Sequence, residues 1–257
     1  MTKPSISVVF PAYNEEENIR ATMARALASL SRQFETFEII IVNDASTDST
    51  GQIAEQLAQN DNHFLVIHND RNMRLGATLL RGLGRARYDL ITFDAMDYPF
   101  DLDDLAEMVP LLATNDVVVA VRKQRAGYTV FRKIISHVNL ALLHLFFELK
   151  LRDYNFVQVY KRRVLETIPV VSRSTGFVTS EMLLRAHRSG FTIAEVDIKY
   201  LPREHGIARS GSPAVIMASV RDLMLFWLRT NRLMSLMCSQ PKENMPAVVT
   251  QASGHNE

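Results

Sequence analysis

The sequence predicts an α/β fold with a mainly parallel sheet flanked by helices, and three observations support this. In the first half of the chain, short β-branched apolar runs alternate with helical patterns of about 10–15 residues, which is typical of βαβ units. The 257 residues suit one large α/β domain. A composition with 47% hydrophobic and 22% charged residues excludes a wholly disordered chain.

The first strand covers residues 5–10 (SISVVF) and ends at Pro11. A helix over residues 14–31 is predicted next, because Asn14 is a typical N-cap residue and apolar residues then recur at helical spacing. The same criteria predict strands over residues 38–42, 64–68, 90–93 and 116–121, and helices over residues 49–60, 76–87 and 102–114. Ligands of such sheets bind beyond the carboxyl ends of the strands, so the polar residues there are the candidates for function.

The alternation stops after Val121, and longer helical patterns dominate the second half. The elements predicted there are one or two helices over 128–149, helices over 180–189 and 213–237, and strands over 156–160 and 193–200. We therefore expect an α/β domain over residues 1–212, an amphipathic helix over 213–238 and a disordered tail over 239–257. No stretch reaches about 18 uninterrupted apolar residues, so no membrane-spanning helix is predicted.

Charge and cysteine content exclude several classes of protein. Lys and Arg total 29 against 28 Asp and Glu, and the resulting net charge of +1 argues against a globally basic nucleic-acid binder. The single cysteine, Cys238, excludes an intrachain disulfide and a cysteine-rich metal site, and it fits a cytoplasmic location.

Four groups of residues that follow predicted strands or flank loops are suited to binding. The segment PAYNE offers an aromatic ring, an amide and a carboxylate for a planar base, and Asp44 in NDASTDST can accept hydrogen bonds from a base or ribose. Asp94 and Asp97 in DAMD can together hold a hard divalent cation that bridges a diphosphate. The fourth group consists of arginines, whose guanidinium forks match phosphate geometry: Arg122, Arg132, Arg203 and Arg209.

Each of these groups also has an ordinary structural interpretation. The first two segments can be plain helix caps, because Asn, Ser and Asp cap helices routinely. The acidic loop can be a solvated surface, and any single arginine is more often surface charge than a ligand. The residues alone leave these alternatives open.

Taken together, the segments resemble the family 2 glycosyltransferases of the GT-A fold, and within them the polyprenyl-phosphate branch that includes dolichol-phosphate-mannose synthases. The resemblance covers roughly residues 5–232 and rests on motifs that occur in the expected order. These are SVVFPAYNEEENI, IIIVNDASTDST, the run from NDRNMRLGA to FDAMD, FRKIISHVN with the RDYNF segment after it, and SEMLLRAHRSG through YLPREHGIARSG. The resemblance implies a GT-A (Rossmann-like) mixed, mainly parallel sheet flanked by helices, with a C-terminal amphipathic helix.

The resemblance also implies roles for individual residues. The nucleotide sugar is expected to bind Pro11, Tyr13, Asn14, Glu15, Asp44 and Asp94. The divalent metal, Mg²⁺ or Mn²⁺, is expected on Asp94 and Asp97. The acceptor phosphate is expected on Arg132, Ser136, Arg203 and Arg209, and catalysis is assigned to Asp94, Asp97, Arg122, Arg132 and Arg203. Glu181 stands where the family carries a glutamate, and its role is left open.

Three residues depart from the family pattern. Asn43 and Ala45 replace an Asp and a Gly, and Ala45 leads us to expect that the turn needs no positive φ. Met96 stands where the second Asp of the D-x-D motif belongs. Either Asp97 replaces that carboxylate through a loop shifted by one residue, which we favour, or the metal site has lost a ligand.

The implied reaction is an inverting transfer of a sugar from a UDP- or GDP-linked donor to a polyprenyl phosphate. Two apolar segments, residues 138–147 and 215–228, favour a peripheral enzyme on the cytoplasmic, inner face of the membrane. The alternative interpretation is that these helices pack on each other or at a dimer interface. A second copy of the chain or a membrane protein is a further partner that this location suggests. No nucleic-acid partner is expected.

Two other interpretations stay open. A family 2 transferase with a saccharide acceptor in envelope polysaccharide synthesis needs a carboxylate base, for which Asp97 and Glu181 are the candidates. A degenerate transferase that serves as a non-catalytic subunit would account for Met96 and Asn43.

Overall fold

The computed structural model describes residues 4–97, 100–123, 130–199 and 213–230, with side chains described from residues 134 and 215 onward in the last two segments. Its strands are β1 (Ile6–Ala12), β2 (Phe37–Asn43), β3 (Phe64–His68), β4 (Leu90–Phe93), β5 (Val117–Arg122), β6 (Gln158–Lys161) and β7 (Ile193–Ile198). They form one sheet in the order β3-β2-β1-β4-β6-β5-β7. Strand β6 runs antiparallel to both neighbours, and the other pairs are parallel.

Helices cover both faces of this sheet. They are α1 (Ile19–Gln33), α2 (Thr50–Asn60), α3 (Arg74–Leu83), α4 (Leu105–Met108), α5 (Val130–Phe146), α6 (Arg162–Thr167), α7 (Val178–Arg188) and α8 (Pro213–Thr230). One apolar core lies between the sheet and α1, α2 and α4, and a second lies between the sheet and α3, α5, α7 and α8. The predicted α/β class with a mixed, mainly parallel sheet is confirmed.

Several elements differ from their predicted bounds. Helix α1 begins at Ile19, because Asn14 has a φ of 54° and lies in a loop instead of capping the helix. The helix predicted over residues 102–114 is a single α turn between two 3₁₀ segments, and Pro110 in the second segment has no N–H to donate. Helix α6 lies where no helix is predicted, because its pattern spans fewer than two turns. The predicted end of α8 and the tail lie outside the described residues.

Helix α8 packs on the domain through aromatic side chains. The ring of Phe226 lies 5.6 Å from Phe147 and 5.7 Å from Phe177, measured between centroids. Trp227 lies 5.2 Å from Phe146 of α5. Helices α5 and α8 are therefore neighbours that form one wall beside the sheet. Within the part of the chain that is described, no helix combines the length and the apolar character that crossing a membrane requires.

Candidate active site

A cleft of about 1800 Å³ opens beyond the carboxyl ends of β1, β2 and β4. This is the point where strand order reverses around β1, the usual ligand position in such sheets. The predicted site residues that line the cleft are Pro11, Tyr13, Asn14, Glu15, Asp44, Asp94, Asp97, Arg122 and Ser136. The side chain of Arg132 and the residues Arg203 and Arg209 lie outside the described part of the chain.

The loops that follow β1 and β2 form one side of the cleft and hydrogen-bond each other in both directions. The amide N–H of Asn14 donates to Ser46 Oγ at 3.0 Å, and the amide of Thr47 donates back to Asn14 Oδ1 at 2.8 Å. The amide of Glu15 donates to Thr50 Oγ1 at 2.8 Å. Each loop thus satisfies backbone donors of the other with side-chain oxygens, which come from Asn14 in the first loop and from Ser46 and Thr50 after β2.

Two residues of these loops have left-handed backbone conformations. Asn14 has a φ of 54° and Ala45 a φ of 56°. Asparagine adopts this region readily, whereas alanine does so at a cost of about 1–2 kcal/mol. The expectation that Ala45 marks a turn without positive φ is therefore wrong. The turn is held by Asp44 N–H, which donates to Ala12 O, and by Ser46 N–H, which donates to Asn43 Oδ1.

Asp44 is buried at the end of β2, and the loop before α3 supplies three donors to its carboxylate. Oδ1 accepts from Asn69 Nδ2 at 2.6 Å and from Met73 N at 2.8 Å, and Oδ2 accepts from Arg74 N at 2.9 Å. Because an ionised carboxylate has about four acceptor positions, roughly one position on Oδ2 stays available to a ligand.

Asp94 follows β4 and is only 3% exposed. Its Oδ1 accepts from the amide of Ala95 at 2.8 Å, while its buried Oδ2 has no hydrogen-bond partner among the described residues. Burial, reinforced by repulsion from Asp97 and Asp101, raises the pKa of Asp94 well above its usual range. A cation at this position would favour the charged carboxylate and satisfy the open oxygen.

The loop after Asp94 explains the apparent loss of a D-x-D carboxylate. Met96 is 2% exposed and packs in the apolar core, and its carbonyl accepts from Thr22 Oγ1 at 2.6 Å. Asp97 lines the cleft beside Asp94. No group of three His, Cys, Asp or Glu side chains converges within the described residues. Two carboxylates suit a Mg²⁺ or Mn²⁺ ion that completes its coordination with substrate phosphate and water.

Arg122 lies at the end of β5 with a nearly buried side chain. Its Nε and one terminal nitrogen donate to Asp153 at 2.7 and 2.8 Å, and its Cζ lies 5.0 Å from the centre of the Phe156 ring. This bidentate pair fixes the guanidinium at the edge of the cleft. Arg122 is therefore an ordered residue of the site and not a mobile surface charge.

Glu181 of α7 is 1% exposed, and both of its oxygens are engaged. Oε1 accepts from Val171 N at 3.1 Å and from Arg185 Nε at 2.6 Å, and Oε2 accepts from Ser172 N at 2.6 Å. These contacts tie the segment between α6 and α7 to the start of α7.

Helices α5 and α8 also line the cleft, and they expose apolar side chains. Ile134 and Val138 of α5 are 55% and 53% exposed. The other large apolar residues that line the cleft and stay exposed are Leu75, Val171, Val220 and Leu225. Several exposed apolar side chains around one cleft favour a site of interaction over ordinary surface.

Sequence reasoning missed two arginines of the cleft, Arg74 and Arg173. Seven arginines line the cleft. Four of them pair with acids: Arg122 with Asp153, Arg152 with Glu195 and Asp197, Arg185 with Glu181, and Arg221 with Asp222. The side chains of Arg74, Arg173 and Arg229 have no such partner among the described residues. None follows a strand directly, so the criterion of polar residues after strands passes over them.

The family model described as "Glycosyl transferase family 2" matches residues 7–170. The glycosyltransferase AglD of Haloferax volcanii is 29% identical over 77% of this chain and 33% of its own length. An undecaprenyl-phosphate 4-deoxy-4-formamido-L-arabinose transferase of Photorhabdus laumondii is 28% identical over 78% of this chain and 61% of its own length. The chain thus spans between a third and about three fifths of these curated relatives.

Solved structures share the fold. Mannosyl-3-phosphoglycerate synthase from Rubrobacter xylanophilus superposes with a TM-score of 0.66 at 19% identity, over 95% of this chain and 79% of that chain. Glucosyl-3-phosphoglycerate synthase from Mycobacterium tuberculosis, in complex with Mn²⁺, UDP and glucosyl-3-phosphoglycerate, superposes with a TM-score of 0.64 at 22% identity, over 87% and 80%. The GT-A fold expected from the sequence is confirmed.

Proposed function

The chain belongs to glycosyl transferase family 2, and on this basis we propose that it transfers a sugar from a nucleotide sugar to a polyprenyl phosphate. One observation carries the proposal. A single cleft has two walls of different character. The polar wall, formed by the loops after β1, β2 and β4 and by the start of α3, is suited to a nucleoside diphosphate, and the helical wall, formed by α5 and α8, has exposed apolar side chains. Relatives named as undecaprenyl-phosphate sugar transferases support a lipid-linked acceptor.

At the polar wall, the nucleotide sugar binds between the loops that follow β1, β2 and β4. Asp44 accepts from the base, with Pro11, Tyr13 and Glu15 around it. Asp94 and Asp97 hold Mg²⁺ or Mn²⁺, for which the buried open oxygen of Asp94 is the supporting observation. When bound, the cation neutralises charge that develops on the leaving diphosphate.

The contacts of Asp44 favour uracil over guanine as the base. Uracil presents one imide N–H between two carbonyl groups, whereas guanine presents two adjacent N–H donors that pair with both oxygens of a carboxylate. Oδ1 of Asp44 already accepts two hydrogen bonds, and Oδ2 accepts one. The single remaining position suits uracil, so we expect UDP to bind more tightly than GDP.

At the helical wall, the acceptor phosphate attacks the anomeric carbon directly. A phosphate monoester is anionic at neutral pH, so the new C–O bond forms without a general base as the bond to the donor diphosphate breaks. Cationic residues that position the phosphate are then the main requirement. Arg122 and Ser136 line this part of the cleft. Arg132, Arg203 and Arg209 remain proposed ligands whose side chains lie outside the described residues.

The exposed apolar residues of α5 and α8 are proposed to contact the membrane that carries the acceptor. Val220 and Leu225 are exposed, while Arg221 and Arg229 on the same helix are exposed cations suited to anionic headgroups. This arrangement supports a peripheral position on the cytoplasmic face of the membrane.

Transfer is tested with purified protein, undecaprenyl phosphate, Mg²⁺ or Mn²⁺ and a panel of UDP- and GDP-sugars, with the lipid fraction measured by mass spectrometry. The expected product is a polyprenyl phosphate heavier by one sugar, formed from a UDP-sugar. Undecaprenol, which lacks the phosphate, and the Asp94→Asn variant are the controls without product. If folded protein yields no such lipid from any donor, a saccharide acceptor or a non-catalytic role replaces the proposal.

A further inference from the structure

We propose that Arg173 binds the phosphate of the lipid acceptor, and that Glu181 is the positioning residue that holds Arg173 in place. The inference rests on the proposed function and adds two residues to it. It concerns residues 171–176, which connect α6 to α7 and line the cleft, and which we term the 171–176 segment.

Among the arginines that line the cleft, Arg173 is distinguished first by the absence of an acidic partner among the described residues. Four of the seven arginines along the cleft already have acidic partners, which leaves Arg74, Arg173 and Arg229 available among the described residues. Arg74 belongs to the polar wall, where its amide donates to Asp44. Arg229 lies in the last turn of α8. Arg173 lies on a connection that touches both walls, with an exposed side chain.

Hydrogen bonds hold the 171–176 segment on two sides. The amides of Val171 and Ser172 donate to the buried carboxylate of Glu181 at 3.1 and 2.6 Å. Ser172 Oγ donates to Asp222 Oδ2 of α8 at 3.0 Å. The residues just before Arg173 are therefore anchored to α7 and to α8, although the segment has no helix or strand of its own.

Two glycines let the 171–176 segment approach its neighbours more closely than other residues would. A Cβ atom built on Gly76 of α3 would lie 2.5 Å from the carbonyl oxygen of Arg173. A Cβ atom built on Gly176 would overlap Ser219 Oγ of α8. The 171–176 segment thus lies between two helices: the backbone of Arg173 contacts α3, and Ser172 and Gly176 contact α8.

The surroundings of Arg173 match the two halves of a lipid phosphate. Val171, two residues away, is 54% exposed and lines the same cleft as the exposed apolar residues of α5 and α8. The acid pair Asp94 and Asp97 lines the same cleft from the polar wall. A lipid phosphate can pair its anionic group with Arg173 and cover the exposed apolar side chains with its hydrocarbon chain. The donor diphosphate instead binds at Asp94 and Asp97 through their cation.

Binding of citronellyl phosphate, a short isoprenoid phosphate, is measured by calorimetry in the presence of UDP and Mn²⁺. Arg173→Ala is expected to weaken this binding at least tenfold and to leave the UDP affinity unchanged, because a charge-assisted hydrogen bond to phosphate is lost. Arg173→Lys is expected to recover part of the affinity. Arg85→Ala removes an exposed arginine outside the cleft and is expected to change neither affinity.

Glu181→Gln tests the positioning role. The amide keeps one acceptor oxygen but places an NH₂ group against a backbone N–H or Arg185, so the 171–176 segment loosens. In the transfer assay the KM for the acceptor is expected to rise several-fold, while the KM for the donor stays unchanged. If Glu181→Gln does not fold, Ser172→Ala removes the anchor to Asp222 and provides the same readout.

The outcomes separate this inference from the proposed function. If the wild type transfers sugar to undecaprenyl phosphate and Arg173→Ala has an unchanged acceptor KM, the inference is wrong and the function stands. If the wild type transfers no sugar but binds citronellyl phosphate in a manner that depends on Arg173, the inference stands and the proposed reaction is wrong. An equal loss of UDP affinity in Arg173→Ala would also overturn the inference, because it would place Arg173 at the donor.

Discussion

The two walls of the cleft are built in opposite ways. In the polar wall, the loops after β1 and β2 satisfy each other's backbone donors, and Asp44 accepts three hydrogen bonds from the protein. In the helical wall, Val138 and Val220 expose apolar surface, and the side chain of Arg173 on the adjoining 171–176 segment has no partner among the described residues. The loops of the polar wall are thus fixed by hydrogen bonds within the protein, with the buried Oδ2 of Asp94 as an open position, whereas the helical wall offers an apolar surface beside that unpaired cation.

Under the proposed function, this difference would place the nucleotide sugar at the polar wall and the lipid acceptor at the helical wall. A nucleotide has a fixed shape and a small set of polar groups, so a preorganised wall recognises it with little ordering cost. A polyprenyl chain has no fixed shape, and an apolar surface beside a membrane accommodates it without specific contacts.

The largest effect is expected at the acid pair. Asp94→Asn and Asp97→Asn each remove a charge that the divalent cation needs, so the rate of transfer is expected to fall by about 100-fold or more. Steady-state rates at saturating donor measure this. Asp70→Asn removes an exposed carboxylate outside the cleft and is the matched control. An Asp97→Asn enzyme with full activity and unchanged Mn²⁺ dependence would exclude Asp97 as a metal ligand.

A second test addresses the completeness of the polar wall. Asp44→Asn points an NH₂ group toward one of three N–H donors, so the free energy of unfolding is expected to fall by about 1–3 kcal/mol and UDP affinity to fall with it. Urea unfolding and calorimetry measure the two quantities. Asp61→Asn alters a less buried carboxylate that also accepts a backbone N–H, from His63, and a smaller change is expected there. Equal losses of stability and UDP affinity in both variants would contradict a specific role of Asp44 in organising the polar wall.

A third test addresses the helical wall. The double variant Val220→Gln and Leu225→Gln is expected to reduce partitioning onto anionic lipid vesicles about tenfold, because it removes apolar area that the bilayer would bury. The free energy of unfolding is expected to change by less than about 0.5 kcal/mol, because both side chains are exposed. Ala21→Gln, on an exposed position of α1, is the control for vesicle flotation assays. If the double variant floats with vesicles as the wild type does, the helical wall does not bind the membrane.

The smallest effect is expected at the left-handed alanine. Ala45→Gly relieves the strain of a φ of 56° but adds chain entropy to the unfolded state, so a net gain of about 0.5–1 kcal/mol in the free energy of unfolding is expected. Ala28→Gly, at an exposed position of α1, is expected to lose a similar amount. A loss of stability in Ala45→Gly would show that the turn is not strained.

The strands and the position of the cleft could be predicted because they depend on local patterns. Runs such as EIIIV are buried on both faces of the sheet, and polar residues directly after strands must meet at one edge. A loop shifted by one residue led us to predict that Asp97 supplies the carboxylate that is missing at Met96, and this role stays a prediction. The packing of Met96 in the apolar core could not be predicted, because it depends on residues distant in the chain.

Other features depend on partners that are distant in the chain. Asn14 looks like a helix cap but bonds to Thr47, and Ala45 looks like an ordinary turn residue but is left-handed because Asn43 and Ala12 hold its neighbours. Arg173 lies in a short polar segment without periodicity. Its position becomes clear only from Gly76, almost a hundred residues earlier in the chain.

The antiparallel strand β6 has a consequence for how the chain is made. Strands β1 to β4 can pair with one another as soon as they are synthesised, since β1 pairs with β2 and β4, and β3 pairs with β2. Among the described residues, β5 is connected to these strands through β6, and β7 pairs with β5. The apolar run VVVAV of β5 therefore stays unpaired after its synthesis until β6 (Gln158–Lys161) has emerged from the ribosome.

During that interval β5 is an apolar segment with open backbone hydrogen bonds, the kind of edge that pairs with other chains. If translation stalls before β6, the four strands β1 to β4 can form a sheet, but β5 remains unpaired and prone to aggregate. Strand β6, which connects the two halves of the sheet, thus also determines when β5 of the nascent chain is protected from aggregation.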